Sequence, residues 1–227
     1  MKHNQLTPHL TQLTKMGWMN AYMVREDDGL TLVDTTMMAA DQLIAAAQKL
    51  GAPIRRIALT HGHGDHVGSL DALREKLGAD VPVLMTEIDA KILAGEQVEF
   101  SDKRRGSWRK INTRPDALLQ PGDRVGSLEV IASPGHTPGH VAFLDTRDRS
   151  LIAGDAFLSI GGLQVPNRPT WPFPFVWMGT CDRSQALESA IALRALEPEM
   201  LVLGHGRALS APAAAMDAAI ASAQRAA

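Results

Sequence analysis

Short runs of apolar, β-favouring residues alternate with stretches whose apolar positions recur every three or four residues, and the alternation persists through both halves of the chain. A period of two marks a strand with one buried face, and a period near 3.6 marks a helix with an apolar stripe, so the pattern predicts an α/β protein. Ala21 to Val24 and Leu30 to Val33 read as strands around the turn Asp27-Asp28-Gly29. Ala39 to Leu50 reads as a helix closed by Gly51 and stopped by Pro53. Ile54 to Leu59 is a predicted strand. Asp65 to Leu77 is a predicted helix, with Val67, Leu70, Leu73 and Leu77 on one face and Gly78 at its end. Pro82 to Met85 adds a strand. Further on, strands are predicted at Leu128 to Ala132, Val141 to Leu144, Leu151 to Ala153 and Leu201 to Leu203, and helices at Ser184 to Leu196 and Pro212 to Ala226. No internal repeat is visible. Two sheet-plus-helix halves packed face to face would make a four-layer sandwich, but periodicity alone does not separate that from one doubly wound sheet.

Composition changes this picture little. Hydrophobic residues are 45% and charged residues 21% of the chain, enough apolar material for a sizeable core. A net charge of -2 gives no general electrostatic reason to bind nucleic acid or an anionic membrane. The first residues lack the continuous apolar stretch of a secretory signal, and no later run reaches the roughly 20 apolar residues that span a bilayer. The expectation is a cytoplasmic protein with neither nucleic-acid nor membrane partner. One cysteine, Cys181, leaves no internal disulfide and reads as a buried or incidental thiol. The basic stretch Phe100 to Arg114, with Lys103, Arg104, Arg105, Arg109, Lys110 and Arg114, reads as a solvated crossover between the halves.

The chemistry concentrates at Thr60-His61-Gly62-His63-Gly64-Asp65-His66, three imidazoles and a carboxylate directly after an apolar strand. Neutral imidazole and carboxylate are ligands that zinc, iron and manganese share, and a cluster so dense would repel itself when protonated. His61 and His63 project to one side of an extended loop, while Asp65 and His66 open the next helix and can face a second ion. Three further candidates each follow a short apolar run: His136 after Ser133-Pro134-Gly135, Asp155 after Gly154, and His205 after Gly204. Ligands at the same end of several strands converge on one sheet edge, where α/β folds usually carry function.

With Asp34 in Leu32-Val33-Asp34-Thr35, the run Pro134-Gly135-His136-Thr137-Pro138-Gly139-His140, Gly154-Asp155 and Gly204-His205-Gly206, the sequence resembles the metallo-β-lactamase superfamily over most of its length. The resemblance implies a single αββα sandwich domain spanning residues 1–227, with its site at the joint between the halves. It implies that His61, His63 and His136 bind a first metal, that Asp65, His66 and His205 bind a second, and that Asp155 bridges them. The expected cofactor is two zinc ions per chain, with iron or manganese as substitutes. Asp34 and His140 are similar to the family's supporting positions, which orient ligands through hydrogen bonds.

Two ions roughly 3.5 to 4 Å apart can share a water and lower its pKa toward neutrality. Asp65 or Asp155 could then move protons to the leaving group, and the sequence does not choose between them. Cys181 does not stand where the commonest zinc β-lactamases carry a ligand cysteine, so penicillin-type substrates are expected to be at best weak, promiscuous ones. What remains is a glyoxalase II-like or lactonase-like hydrolase of lactone, ester or thioester bonds. The rivals are a mononuclear iron persulfide dioxygenase and a non-catalytic, metal-stabilised binding protein. Phe157, Trp171, Phe173, Phe175 and Trp177 are interleaved with prolines directly after Asp155. They predict either a wall for an apolar acyl or lactone substrate, or packing at the core or at a homodimer interface. Tyr22 could donate to a developing oxyanion, though its place in a predicted hairpin favours packing.

Overall fold

The computed structural model describes residues 1–96, 98, 108 and 110–225. Two mixed sheets stack face to face, each with helices on its outer side. The first sheet contains β1 (Lys2–Gln5), β2 (Leu10–Lys15), β3 (Met19–Glu26), β4 (Gly29–Val33), β5 (Ile54–Ala58), β6 (Val83–Thr86) and β7 (Ala117–Leu119), paired in that order. Strands β1 to β4 are antiparallel and β4 to β7 are parallel. The helices of this half are α1 (Ala40–Lys49), α2 (Gly64–Val67), α3 (Leu70–Leu77) and α4 (Glu87–Ala94). The second sheet contains β8 (Arg124–Val125), β9 (Leu128–Ala132), β10 (Val141–Asp145), β11 (Ser150–Ile152), β12 (Met200–Val202) and β13 (Leu209–Ser210). Only β11 and β12 are parallel there. Helices α5 (Phe175–Gly179), α6 (Arg183–Ala195) and α7 (Ala213–Gln224) complete the chain.

The period-two pattern explains the layering. On β3, Ala21 and Met23 face α1 to α3, whereas Tyr22 and Val24 face the other sheet. On β10, Val141 and Phe143 face the first sheet, whereas Ala142 and Leu144 face α6 and α7. Apolar clusters therefore form between helices and first sheet, between the two sheets, and between second sheet and helices. That arrangement is a four-layer αββα sandwich. It also decides between the two architectures that periodicity left open.

The predicted helix from Asp65 to Leu77 is broken into α2 and α3 at Gly68 and Ser69. A Cβ on Gly68 would lie 2.4 Å from the Gly64 carbonyl and 2.8 Å from Met37 Cγ, so the chain packs too closely there for a side chain. The Ser69 hydroxyl accepts from Ala39 N and donates to the Thr36 carbonyl, tying the break to the loop after β4. Most of the basic crossover, Lys103, Arg104, Arg105 and Arg109 included, lies outside the described residues. Among the described residues no helix is long and apolar enough to cross a membrane.

Candidate metal centre

The loops that leave β4, β5, β9, β11 and β12 meet at one end of the two sheets. They carry Asp34, His61 to His66, His136, Asp155 and His205 respectively. Three groups of ligand atoms lie within 4.8 Å of one another: His61, His63 and His136; His61, His66 and Asp155; and Asp65, His66 and His205. Asp155 sits among them. Its Oδ1 is 3.4 Å from His66 Nε2, and its Oδ2 is 3.3 Å from His136 Nε2 and 3.2 Å from His205 Nε2. His205 Nε2 is also 3.3 Å from Asp65 Oδ2. Every one of these histidines is buried.

Hydrogen bonds on the far side of each ring fix which nitrogen faces the centre. Thr60 Oγ1 donates to Asp34 Oδ2, so at 3.0 Å from His61 Nδ1 it can only accept, and His61 presents Nε2 with its lone pair. Thr180 Oγ1 likewise donates to the Val176 carbonyl and accepts from His136 Nδ1 at 3.0 Å. His66 Nδ1 donates to Asp34 Oδ2 at 2.8 Å, and His205 Nδ1 donates to the Trp18 carbonyl at 3.1 Å. Four imidazoles thus direct Nε2 inward; those of His61 and His136 are held unprotonated, whereas those of His66 and His205 face the carboxylates of Asp155 and Asp65. His63 turns its Nδ1 to within 2.9 Å of His136 Nε2. His61 Nε2 is buried without a hydrogen-bond partner, and the Asp155 carboxylate is ringed by the Nε2 atoms of His66, His136 and His205, an arrangement that calls for positive charge between them. A buried acceptor left in this way costs about 1 to 3 kcal/mol. The donor set therefore fits divalent ions, with nitrogen and carboxylate ligands suited to zinc, iron or manganese.

The electrostatics divide the ligands in the same way. Burial, with the neighbouring imidazoles, pushes His61 well below its usual value, and burial does the same to His136. Burial also opposes charge on His66, but Asp155 and Asp34 beside it raise it well above the usual value. His205 is raised to about 9 against its burial, by Asp155 and then Asp65. Both carboxylates respond in kind: burial would raise Asp155 and Asp65, yet the adjacent imidazoles hold them below the usual range. The centre thus demands positive charge around Asp155 and Asp65.

Asp34 occupies the left-handed region at φ 59°, a conformation that an aspartate tolerates at some cost. Its carboxylate offsets that strain by accepting from Thr60 N, Thr60 Oγ1 and His66 Nδ1. His140 Nε2 accepts from Asp155 N at 3.0 Å, and its Nδ1 lies 2.8 Å from Ser133 Oγ. Burial holds His140 down at about 3, so the ring is neutral. A Cβ on Gly204 would stand 2.1 Å from Asp155 Oδ1 and 2.6 Å from His66 Cε1, so only glycine lets β12 end against these ligands.

Beside the ligands opens a cleft of about 350 Å³, with Trp18, Met37, Phe175, Val176 and Met178 along its apolar side. The five aromatics singled out in the sequence scatter. Phe175 lines the cleft. Phe173 packs against Trp18 and His205, with ring centroids 5.2 Å apart in each case. Phe157 is instead fully buried in the core of the second half. Trp171 is 78% exposed, and Trp177 lies against the Arg183 guanidinium, 4.8 Å from its ring centroid; neither belongs to the cleft lining. Tyr22 is packed between the sheets, its hydroxyl exchanging hydrogen bonds with the backbone of Leu203. Cys181 is buried.

Sequence reasoning missed Trp18, whose indole stacks on His205 at 5.4 Å, together with Asn20, Asp89 and Thr180. Asn20 Nδ2 donates to the carbonyls of Leu203 and Gly206 on either side of His205. None of these lies in a ligand-like motif.

Comparison with known proteins agrees with this geometry. Residues 19–205 match the family model of the metallo-β-lactamase superfamily, and the chain belongs to that superfamily. Over 212 residues it is 40% identical to YobT of Bacillus subtilis (strain 168), covering 91% of each chain. It is 30% identical to a hydroxyacylglutathione hydrolase of Rhodopseudomonas palustris (strain HaA2) over 189 residues, 81% of this chain and 61% of that one. Among solved structures, the di-iron-bound form of TTHA1623 is 28% identical with a TM-score of 0.64, covering 95% of this chain and 97% of that one.

Proposed function

We propose that the protein is a hydrolase that holds two zinc ions and cleaves a lactone, ester or thioester bond in a substrate with an apolar acyl group. The observation that carries this reading is the set of four imidazoles tied back through Nδ1, with Nε2 directed at two shared carboxylates. His61, His63 and His136 would hold one ion, Asp65, His66 and His205 the other, with Asp155 between them. When bound, such a pair supplies the Lewis acidity that lowers the pKa of water toward neutrality and polarises a carbonyl.

The chain's own residues supply the rest. Asp65 is the better proton carrier of the two carboxylates, since its side chain retains 23% exposure whereas that of Asp155 retains 3%. Asp65 lines the cleft, so its carboxylate can accept a hydrogen bond from the attacking water and pass the proton to the leaving atom. Trp18, Met37, Phe175 and Met178 offer an apolar bed to the acyl part, and no described lysine or arginine lines the cleft. Hydroxyacylglutathione hydrolase, a relative at 30% identity, acts on a thioester, which keeps thioesters within the proposed range.

The test is a hydrolysis screen over lactones, aryl esters, thioesters, phosphodiesters and β-lactams, on protein of measured metal content. Turnover is expected on apolar acyl esters, thioesters or lactones, lost on chelation and restored by zinc. About one iron per chain together with oxygen consumption on a persulfide would replace this reading with a dioxygenase.

A further inference from the structure

Helix α4 carries at its third position a carboxylate with no exposed surface, Asp89. An acidic residue in a first turn ordinarily faces water and the positive end of the helix dipole. Asp89 turns inward, and all three of its hydrogen bonds come from the two loops that bear His61, His63 and His136. Its Oδ2 accepts from Gly62 N at 2.8 Å and from Thr137 Oγ1 at 2.7 Å, and its Oδ1 accepts from Gly139 N at 2.9 Å. The Thr86 hydroxyl, at the start of the same helix, donates to the Gly139 carbonyl at 2.7 Å instead of capping α4. A Cβ on Gly139 would lie 2.4 Å from Thr86 Oγ1 and 2.6 Å from Asp89 Oδ1, so glycine there is what admits the contact.

The position of these donors matters more than their number. Gly62 separates His61 from His63, and Thr137 follows His136, so one carboxylate holds the backbone between two ligands and the hydroxyl of the residue next to the third. The two loops come from different sheets, β5 in the first and β9 in the second. None of the donors is charged, so the burial of this carboxylate is only partly compensated as a matter of stability. We infer that Asp89 is a positioning residue that sets the distance between the His61–His63 loop and the His136 loop, and so shapes the three-histidine metal site. The inference rests on the metal-centre reading but concerns ion binding, not turnover.

The test is zinc affinity, measured on metal-free protein by competition with a chromophoric chelator, beside the melting temperature of the same metal-free samples. Asp89→Asn keeps the volume, but its amide NH2 must face a backbone N–H at either Gly62 or Gly139, and it is expected to weaken one of two zinc sites by about 10- to 100-fold. Asp89→Ala should weaken it at least as much. Leu43→Ala, on the buried face of α1, is the control that lowers the melting temperature while leaving zinc affinity at the wild-type value. If Asp89→Ala does not fold, the isosteric asparagine variant decides. Wild-type zinc affinity in a folded Asp89→Asn protein, with or without a lower melting temperature, overturns the inference and reduces Asp89 to a packing role. Failure of the wild-type protein itself to bind zinc would be seen first and would overturn the metal-centre reading with it.

Discussion

Asp89 also has a signature in pH that separates it from the ligands. Burial pushes its carboxyl up to about 6 from the usual 3.8, against the pull of its three donors, which are a hydroxyl and two backbone N–H groups with no charged partner. Between those values the folded protein binds more protons at this site than the unfolded chain does. Stability from Asp89 is therefore fully present below pH about 4 and is lost as pH rises to about 6, a change of about 3 kcal/mol. Asp89→Asn removes that titration. The stability of the wild type relative to the asparagine variant should fall across this window and level off above it, in urea titrations at stepped pH on metal-free protein; a flat difference would show that the carboxyl is not raised. Thr180 makes the companion case for a hydroxyl. Thr180→Val leaves His136 Nδ1–H buried without its acceptor, so zinc affinity should fall by about 10-fold or more, while Thr180→Ser should restore it. Equal affinity in the valine variant would remove Thr180 from the centre.

At the level of elements, β3 links the two sheets at the site. Tyr22 on β3 donates to the Leu203 carbonyl and accepts from Leu203 N, and Asn20 grips both sides of His205, so the first sheet positions a ligand loop of the second. Tyr22→Phe leaves the buried Leu203 N–H unpaired, while the Leu203 carbonyl keeps Asn20, and should destabilise the fold by about 1 to 3 kcal/mol in denaturant titration; an unchanged midpoint would mean that the sheets are held by apolar packing alone. The same elements show what the sequence could and could not carry. Strands such as β5 and β10, and helices such as α1 and α6, are legible because an apolar face repeats along them. Strand β1 is not, because all four of its residues are exposed and only backbone pairing with β2 holds it. Helix α4 is masked by inversion: Ile88 is 42% exposed while Asp89 beside it is buried. The metal-type residues were legible because His61 to His66 are crowded in the chain. Trp18, Thr180 and Asp89 were not, because each acts through a hydroxyl, a ring face or a carboxylate that only the packing of distant loops brings near. The proline-rich run left a wall and core packing both open, because stiffness does not say which aromatic turns inward: Phe157 lies in the core, Phe175 on the cleft and Trp171 in solvent.

Across the whole molecule, the apolar clusters and the metal centre are separable. Three layers of buried side chains hold the sandwich, and the ligand loops sit at its edge, on strand ends that the sheets already fix. Metal-free protein should therefore keep its secondary structure, unlike small domains in which the ion is the core. What the centre suffers without ions is local: the buried, unpartnered Nε2 of His61, and carboxylates balanced only by protons on His66 and His205. Ions that bind the folded state alone stabilise it by mass action, by about 4 kcal/mol when free zinc is about 1,000 times its dissociation constant. For a chain of this length that corresponds to a rise in melting temperature on the order of 10 °C. Circular dichroism of chelated protein at 25 °C should match that of the loaded form, while the thermal transitions separate by that margin and rejoin when zinc is restored. Coincident transitions would mean that the imidazoles bind no ion tightly, and loss of the far-ultraviolet signal on chelation would mean that the ions, and not the three apolar layers, hold the sheets together.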